Sequence, residues 1–342
     1  MNPFAGILLI ALGSIGAASF YVPFKKVKTW AWESYWLSQG VAAWLIAPIL
    51  FAYIFVPQGE LFPIINEAPS SAKLMAMFFG ALWGFGGLTF GLSIRYLGIA
   101  LGQSIALGLC AAFGTLIPPV IAGESLFSTT AGILTIVGVS ITVAGIAIIG
   151  YAGSLKSKEM TEEEKNAAVK EFALKKGIFI AIFAGVMSAC FNFGFESARP
   201  IENIALAHGT NPLFQKNTSL IFIMLGGFVT NLVYCGYLNI KNKTYKDYIS
   251  VSGSVLLNNL FFTFLAGFLW FLQFHFFGMG SSKLPEGMAV FGWSILMALN
   301  IAVSNIWGIF LNEWKGAKRK TIIVLLTGIL ILILSTFVVK LG

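Results

Sequence analysis

Apolar runs recur from one end of this chain to the other, with short polar or basic stretches between them. A bilayer-spanning helix needs about 20 mostly apolar residues. The pattern predicts ten such helices, at roughly 4–24, 36–56, 74–94, 99–121, 130–151, 176–196, 214–238, 254–279, 288–311 and 320–340. One stretch breaks the rhythm. Residues 153–175 carry mixed charges at helical spacing (KSKEMTEEEKNAAVKEFALKK spans their core), which reads as a cytoplasmic amphipathic linker, with a regulatory role as the alternative. It divides the ten helices five and five. Residues 6–25 (GILLIALGSIGAASFYVPFK) align without a gap on residues 177–196 (GIFIAIFAGVMSACFNFGFE), an offset of 171. A second copy after five helices enters the membrane in the opposite sense, so the expected architecture is an all-α membrane protein of two inverted five-helix repeats. The expected parts are 1–152, the linker 153–175, and 176–342. Leu82-Trp83 and Leu269-Trp270 are a later echo of the same repeat.

Composition sharpens this picture. Only 11% of the 342 residues are charged and 57% are hydrophobic, so a water-soluble pair of domains is excluded. The net charge of +8 could point to nucleic acid, but its distribution argues for a lipid bilayer instead. Of the 22 Lys and Arg residues, 17 fall in loops after odd-numbered helices, which marks that side as cytoplasmic and puts both termini outside. The segment FYVPFKKVKTWAWE (20–33) shows the logic locally: an apolar helix end, a break at Pro23, three lysines, then two interfacial tryptophans. The lysines follow the first apolar run, so that run reads as a retained helix rather than a cleaved signal.

Enzyme signatures are missing. His208 and His275 form no HExxH pair, and Gly102-Gln-Ser-Ile-Ala106 lacks the last glycine of a nucleophile elbow. Asp247 is the one aspartate, so an intramembrane aspartyl dyad is impossible. Cys110, Cys190 and Cys235 sit in apolar runs without CxxC spacing and read as small hydrophobes; no metal site or cofactor is expected. Gly80/Gly84, Gly87/Gly91 and Gly98/Gly102 have the four-residue spacing that lets helices approach closely. Pro23, Gly194 and Pro118-Pro119 are candidate breaks.

Polar stripes supply the candidate chemistry. Ser188, Asn192, Glu196 and Arg199 share one face, as do Asn259, Thr263, Trp270 and Gln273; Asn300 and Ser304 mark another helix. Such groups avoid lipid, so they either line a wet cavity or hydrogen-bond neighbouring helices. Neutral amides with aromatic faces suit a sugar, whose hydroxyls need the former and whose C–H surface needs the latter. The candidate substrate contacts are Tyr21, Trp83, Gln103, Asn192, Trp270, Gln273 and Asn300, with Trp83 and Trp270 flanking the ring. Candidate proton carriers are Glu196, His275 and Glu33, and Glu196 has Arg199 one turn away as a partner.

The chain resembles the L-rhamnose–proton symporter family of the drug/metabolite transporter superfamily. The resemblance is carried by residues 20–33, IRYLG (94–98), LKKG (174–177), LWFLQFHFFGMG (269–280) and NEW (312–314). Helices 4 and 9 match less closely, and His275 interrupts the aromatic run after Gln273. It implies a bacterial inner-membrane carrier that takes up a deoxyhexose with a proton as the coupling ion. The alternative is a carrier of the same fold for another small metabolite.

Overall fold

A computed structural model of the chain describes residues 2–121, 123, 126–159, 173–285, 288–310 and 314–341; the side chains of some further positions, Arg95 and Gln103 among them, fall outside that description. The described residues hold helices and no strand. This follows from the solvent: in hydrocarbon a helix satisfies its own backbone. The chain runs α1 (Pro3–Ser19), α2 (Tyr21–Phe24), α3 (Trp32–Gly40), a π-helical turn (Val41–Ile46), α4 (Ala47–Phe55), α5 (Leu61–Glu67) and α6 (Ser70–Ile121). It continues through α7 (Thr130–Glu159), α8 (Leu174–Ser197), α9 (Arg199–Ala207), α10 (Lys216–Lys241), α11 (Gly253–Ser281), α12 (Gly292–Phe310) and α13 (Arg319–Ser335). Among the described residues nine stretches are long and apolar enough to cross a membrane, Ser70–Ser93 being one, and Ile105–Ile121 is a shorter apolar helix.

The expected boundaries hold to within a few residues at most spans, with two exceptions. No loop separates the third and fourth spans: α6 is helical across residues 94–99. Its contacts with α8 nevertheless change direction there. Gly86 lies against Ser188, and Tyr96 and Leu97 lie against Gly177; beyond that point Ala106 and Leu109 meet Gly185, and Gly114 meets Asn192. The touched positions on α8 thus descend from 188 to 177 and climb back to 192. The second exception is the linker, whose first residues belong to α7 as far as Glu159; residues 160–172 lie outside the described set.

Prolines act as the local geometry allows. Pro48 cannot donate to the Trp44 carbonyl one turn earlier, and its ring crowds that oxygen, so the helix widens into the π turn before it. Pro118 and Pro119 stay inside the last turns of α6. Phe20 separates α1 from α2, three residues before Pro23.

Contacts divide the chain into two compact units, each drawn from both halves of the sequence. The first comprises residues 1–11, 85–192 and 280–342. Its core is α7 against α13: Gly145 and Gly328 let the backbones close on Leu332 and Ile149, and Thr142 donates to Ser335 Oγ at 2.9 Å. Trp293 of α12 packs onto Gly114, donates to the Cys110 carbonyl at 3.2 Å, and stacks on Phe191 at 5.7 Å. The second unit comprises residues 12–84 and 193–279. Here α3 and α4 pack along α10, with Trp36 Nε1 donating to Asn231 Oδ1 at 3.1 Å. A Cβ at Gly80 would overlap the Ile223 carbonyl, and one at Gly226 the Met77 carbonyl, so α6 and α10 touch backbone to backbone. By contrast nothing lies within 4 Å of a Cβ built at Gly87 or Gly91. Identical spacing, opposite use.

Candidate functional site

The second unit gathers an aromatic cluster. Trp83 of α6 and Trp270 of α11 stack on each other with centroids 5.5 Å apart and planes 28° apart. Trp44 of the π turn stands edge-on to both, at 6.1 Å and 5.7 Å, and Phe274 closes the group at 5.0 Å from Trp270. Gly227 lies under the Trp83 ring and Gly40 under Trp44, where no side chain would fit. Trp83 and Trp270, expected to flank a sugar ring, stack directly on each other here. Trp44 had no repeat partner and was not anticipated.

The remaining candidates belong to both units. Gln273 is buried in α11, one turn from the cluster, and its amide donates to the Trp270 carbonyl at 3.0 Å. Tyr21 is exposed, against Phe20 at 4.0 Å and Phe24 at 5.8 Å. Asn192 and Asn300 belong to the first unit, and the Gln103 side chain is outside the description. Asn192 donates to the Gly114 carbonyl at 2.7 Å. Asn259 exchanges two hydrogen bonds with the backbone of Lys28, at 2.9 Å and 2.8 Å, and Thr263 meets Ser38 at 2.8 Å. For these three, tying the chain together is what the side chain visibly does.

Among the ionisable candidates, Glu196 pairs with Arg199 at 2.5 Å, as their spacing suggested, and Arg199 is more than half exposed. His275 is buried against Phe51, Phe55 and Phe214, with Nδ1 2.9 Å from Asn217 Oδ1. Glu33 accepts from Asn242 and Thr244, both at 2.9 Å.

Three polar groupings were not visible in the sequence. Glu202 of α9 and Lys216 of α10 form a buried ion pair at 3.2 Å, with Ser219 donating to the carboxylate at 3.0 Å and Phe195 under the ammonium at 4.7 Å. Asp247, the sole aspartate, receives the Ala31 N–H at 2.8 Å and the Ser34 hydroxyl at 2.7 Å; Trp30 donates to its carbonyl at 2.8 Å. That caps the start of α3, to which Tyr248 also donates through the Ser34 carbonyl at 3.0 Å. His208 sits between Glu60, 2.6 Å from Nδ1, and Glu67, 3.0 Å from Nε2. Those two carboxylates, Glu67 foremost, hold its pKa above the usual imidazole value. Partners 14 to more than 200 residues apart leave no periodic signal. No group of three or more potential metal ligands occurs among the described residues.

Comparison with known proteins gives one family from end to end. Residues 2–342 match the family model described as L-rhamnose-proton symport protein (RhaT). A protein of Yersinia pestis (strain Pestoides F) named L-rhamnose-proton symporter is 36% identical over 341 residues, covering 98% of this chain and 97% of that one. Proteins of the same name from Yersinia pseudotuberculosis serotypes O:1b and O:3 match to the same extent.

Proposed function

The chain belongs to the L-rhamnose-proton symport protein family, and from that premise we propose that it takes up L-rhamnose, or a close deoxy sugar, together with a proton. The match along the whole chain carries this reading. A symporter is a carrier and not an enzyme, which agrees with the missing catalytic signatures. The protein is a multi-pass membrane protein by its many apolar helices.

The finer reading is an alternating-access carrier of ten crossings in two inverted five-helix repeats, at the bacterial inner membrane with both termini outside. Two observations support it. The reversal of α6 contacts along α8 is what two antiparallel crossings joined near residue 97 would produce. Within the units, α7 packs with α13 and α3/α4 with α10, which are the fifth with the tenth and the second with the seventh spans. Inverted repeats bring equivalent helices together about their pseudo-two-fold axis. The tryptophan cluster is the proposed sugar-facing wall, with Gln273 beside it. Of the proton candidates, His275 is favoured by its burial beside Asn217, while Glu196 already has a cation.

Labelled L-rhamnose uptake into proteoliposomes tests this directly. Accumulation driven by an inward proton gradient and collapsed by a protonophore is the expected result. Gradient-independent uptake would keep the sugar and remove the coupling. No uptake in vesicles that hold folded protein would sink the substrate.

A further inference from the structure

Buried polar atoms nearly always have partners, so each one without a partner calls for a physical explanation. Gln39, at the end of α3, is 1% exposed, and neither its amide nitrogen nor its amide oxygen has a hydrogen-bond partner. Trp44, on the π turn that follows, is 3% exposed, and its indole N–H is likewise unpartnered. Three other indoles, those of Trp30, Trp36 and Trp293, each donate to an oxygen at 2.8–3.2 Å. The two orphans lie in one neighbourhood. The Gln39 carbonyl rests on Gly267, one turn of α11 before Trp270, and Trp270 carries the Trp44 ring. Glycines hold this neighbourhood tight, since a Cβ at Gly267 would come within 2.6 Å of that carbonyl and one at Gly40 within 2.5 Å of the Trp44 ring. The π turn itself is a costly local geometry, and such turns concentrate at functional sites.

We propose that the Gln39 amide and the Trp44 indole N–H are direct hydroxyl contacts of the transported sugar. The proposal rests on the sugar-transport reading above and adds to it the polar half of the site. A carboxamide offers two donors and one acceptor, which matches neighbouring hydroxyls that each give and take a hydrogen bond. The indole adds a further donor and, with Trp83 and Trp270, an apolar face for the ring's C–H surface.

The test measures L-rhamnose binding to the full-length protein in nanodiscs, by calorimetry, alongside the sugar-free thermal midpoint. Variants are Gln39→Leu, which keeps the volume and removes the amide, and Trp44→Phe, which keeps a ring and removes the N–H. Each is expected to weaken binding at least about tenfold. Gln39→Leu is also expected to raise the sugar-free midpoint, because it deletes two unsatisfied atoms. A purely structural role predicts the opposite sign. Wild-type affinity in both variants would overturn the proposal while leaving rhamnose transport standing. A lowered midpoint in Gln39→Leu would overturn it too, by showing that the amide is held by an ordered water or by the fold itself. If the wild-type protein binds no L-rhamnose, the transport reading fails and this proposal falls with it.

Discussion

Replacing Gly267 with alanine should loosen the second unit by a calculable amount. The new methyl carbon would sit 2.6 Å from the Gln39 carbonyl oxygen, 2.7 Å from Ala42 Cβ and 3.0 Å from the Ala43 nitrogen. A comfortable carbon–oxygen contact is about 3.3 Å and a carbon–carbon contact about 3.5–4.0 Å. All three neighbours are backbone or Cβ atoms, so no side chain can swing away. The helices themselves must separate by about 1 Å. The Ser38–Thr263 hydrogen bond, 2.8 Å long and one turn away, would stretch past useful length. Overpacking of this kind costs about 1–3 kcal/mol and a lost hydrogen bond about 0.5–1.5 kcal/mol, so a total of about 1.5–4.5 kcal/mol is expected. At about 2 °C per kcal/mol for a chain of this size, the midpoint should fall by roughly 3–9 °C. Fluorescence-detected size exclusion after heating measures it. Gly91→Ala is the matched control, since open space surrounds that position and alanine is the better helix former. An unchanged midpoint in Gly267→Ala, or an equal loss in Gly91→Ala, would refute the close-contact reasoning.

The other outcomes can be stated briefly. His208 gains protons on folding because Glu67 and Glu60 raise its pKa, so its contribution is fully present below the unfolded value of about 6.5 and fades as pH rises through the raised one. Hydrogen exchange, corrected for intrinsic rates, should show stronger protection of residues 60–67 at pH 6 than at pH 9, and His208→Gln should flatten the difference; protection independent of pH in the parent protein would count against the clamp. Lys216→Met leaves Glu202 buried without its cation and should cost about 3–5 kcal/mol, most of it recovered by adding Glu202→Gln. Equal thermal midpoints for the single and double variants would show that the pair is not coupled.

What could be read from the chain alone was set by range. Helices are local, and in hydrocarbon nothing else is open to a single span, so hydropathy and punctuation placed most of them. The α6 reversal escaped because helical hydrogen bonding continues where a loop was expected. The Glu196–Arg199 pair was legible because three residues separate the partners. Glu202–Lys216 and the Asp247 cap were not, since only the packing of different helices creates them. Glycine spacing announced that helices could approach, yet Gly80 is used and Gly87 is not, because spacing does not name a partner. The tryptophans show the same limit. The shared Leu-Trp pattern singled out Trp83 and Trp270, while Trp44 reached them through a π turn caused by Pro48.

That π turn also divides α3 and α4 into parts that are held in different ways. Ahead of it, residues 28–34 are pinned to later parts of the same chain through Asn259, Asp247 and Tyr248. Several of those bonds end on backbone atoms, so no change of rotamer releases them. Sliding the N-terminal end of α3 past its neighbours would sever them together. At Val41–Ile46 the hold is of another kind: the regular ladder gives way to a π turn, and buried Ala42, Ala43 and Trp44 fix it by packing alone. The stretch is thus a foot tied by hydrogen bonds below a turn held by contact, and the turn carries Trp44.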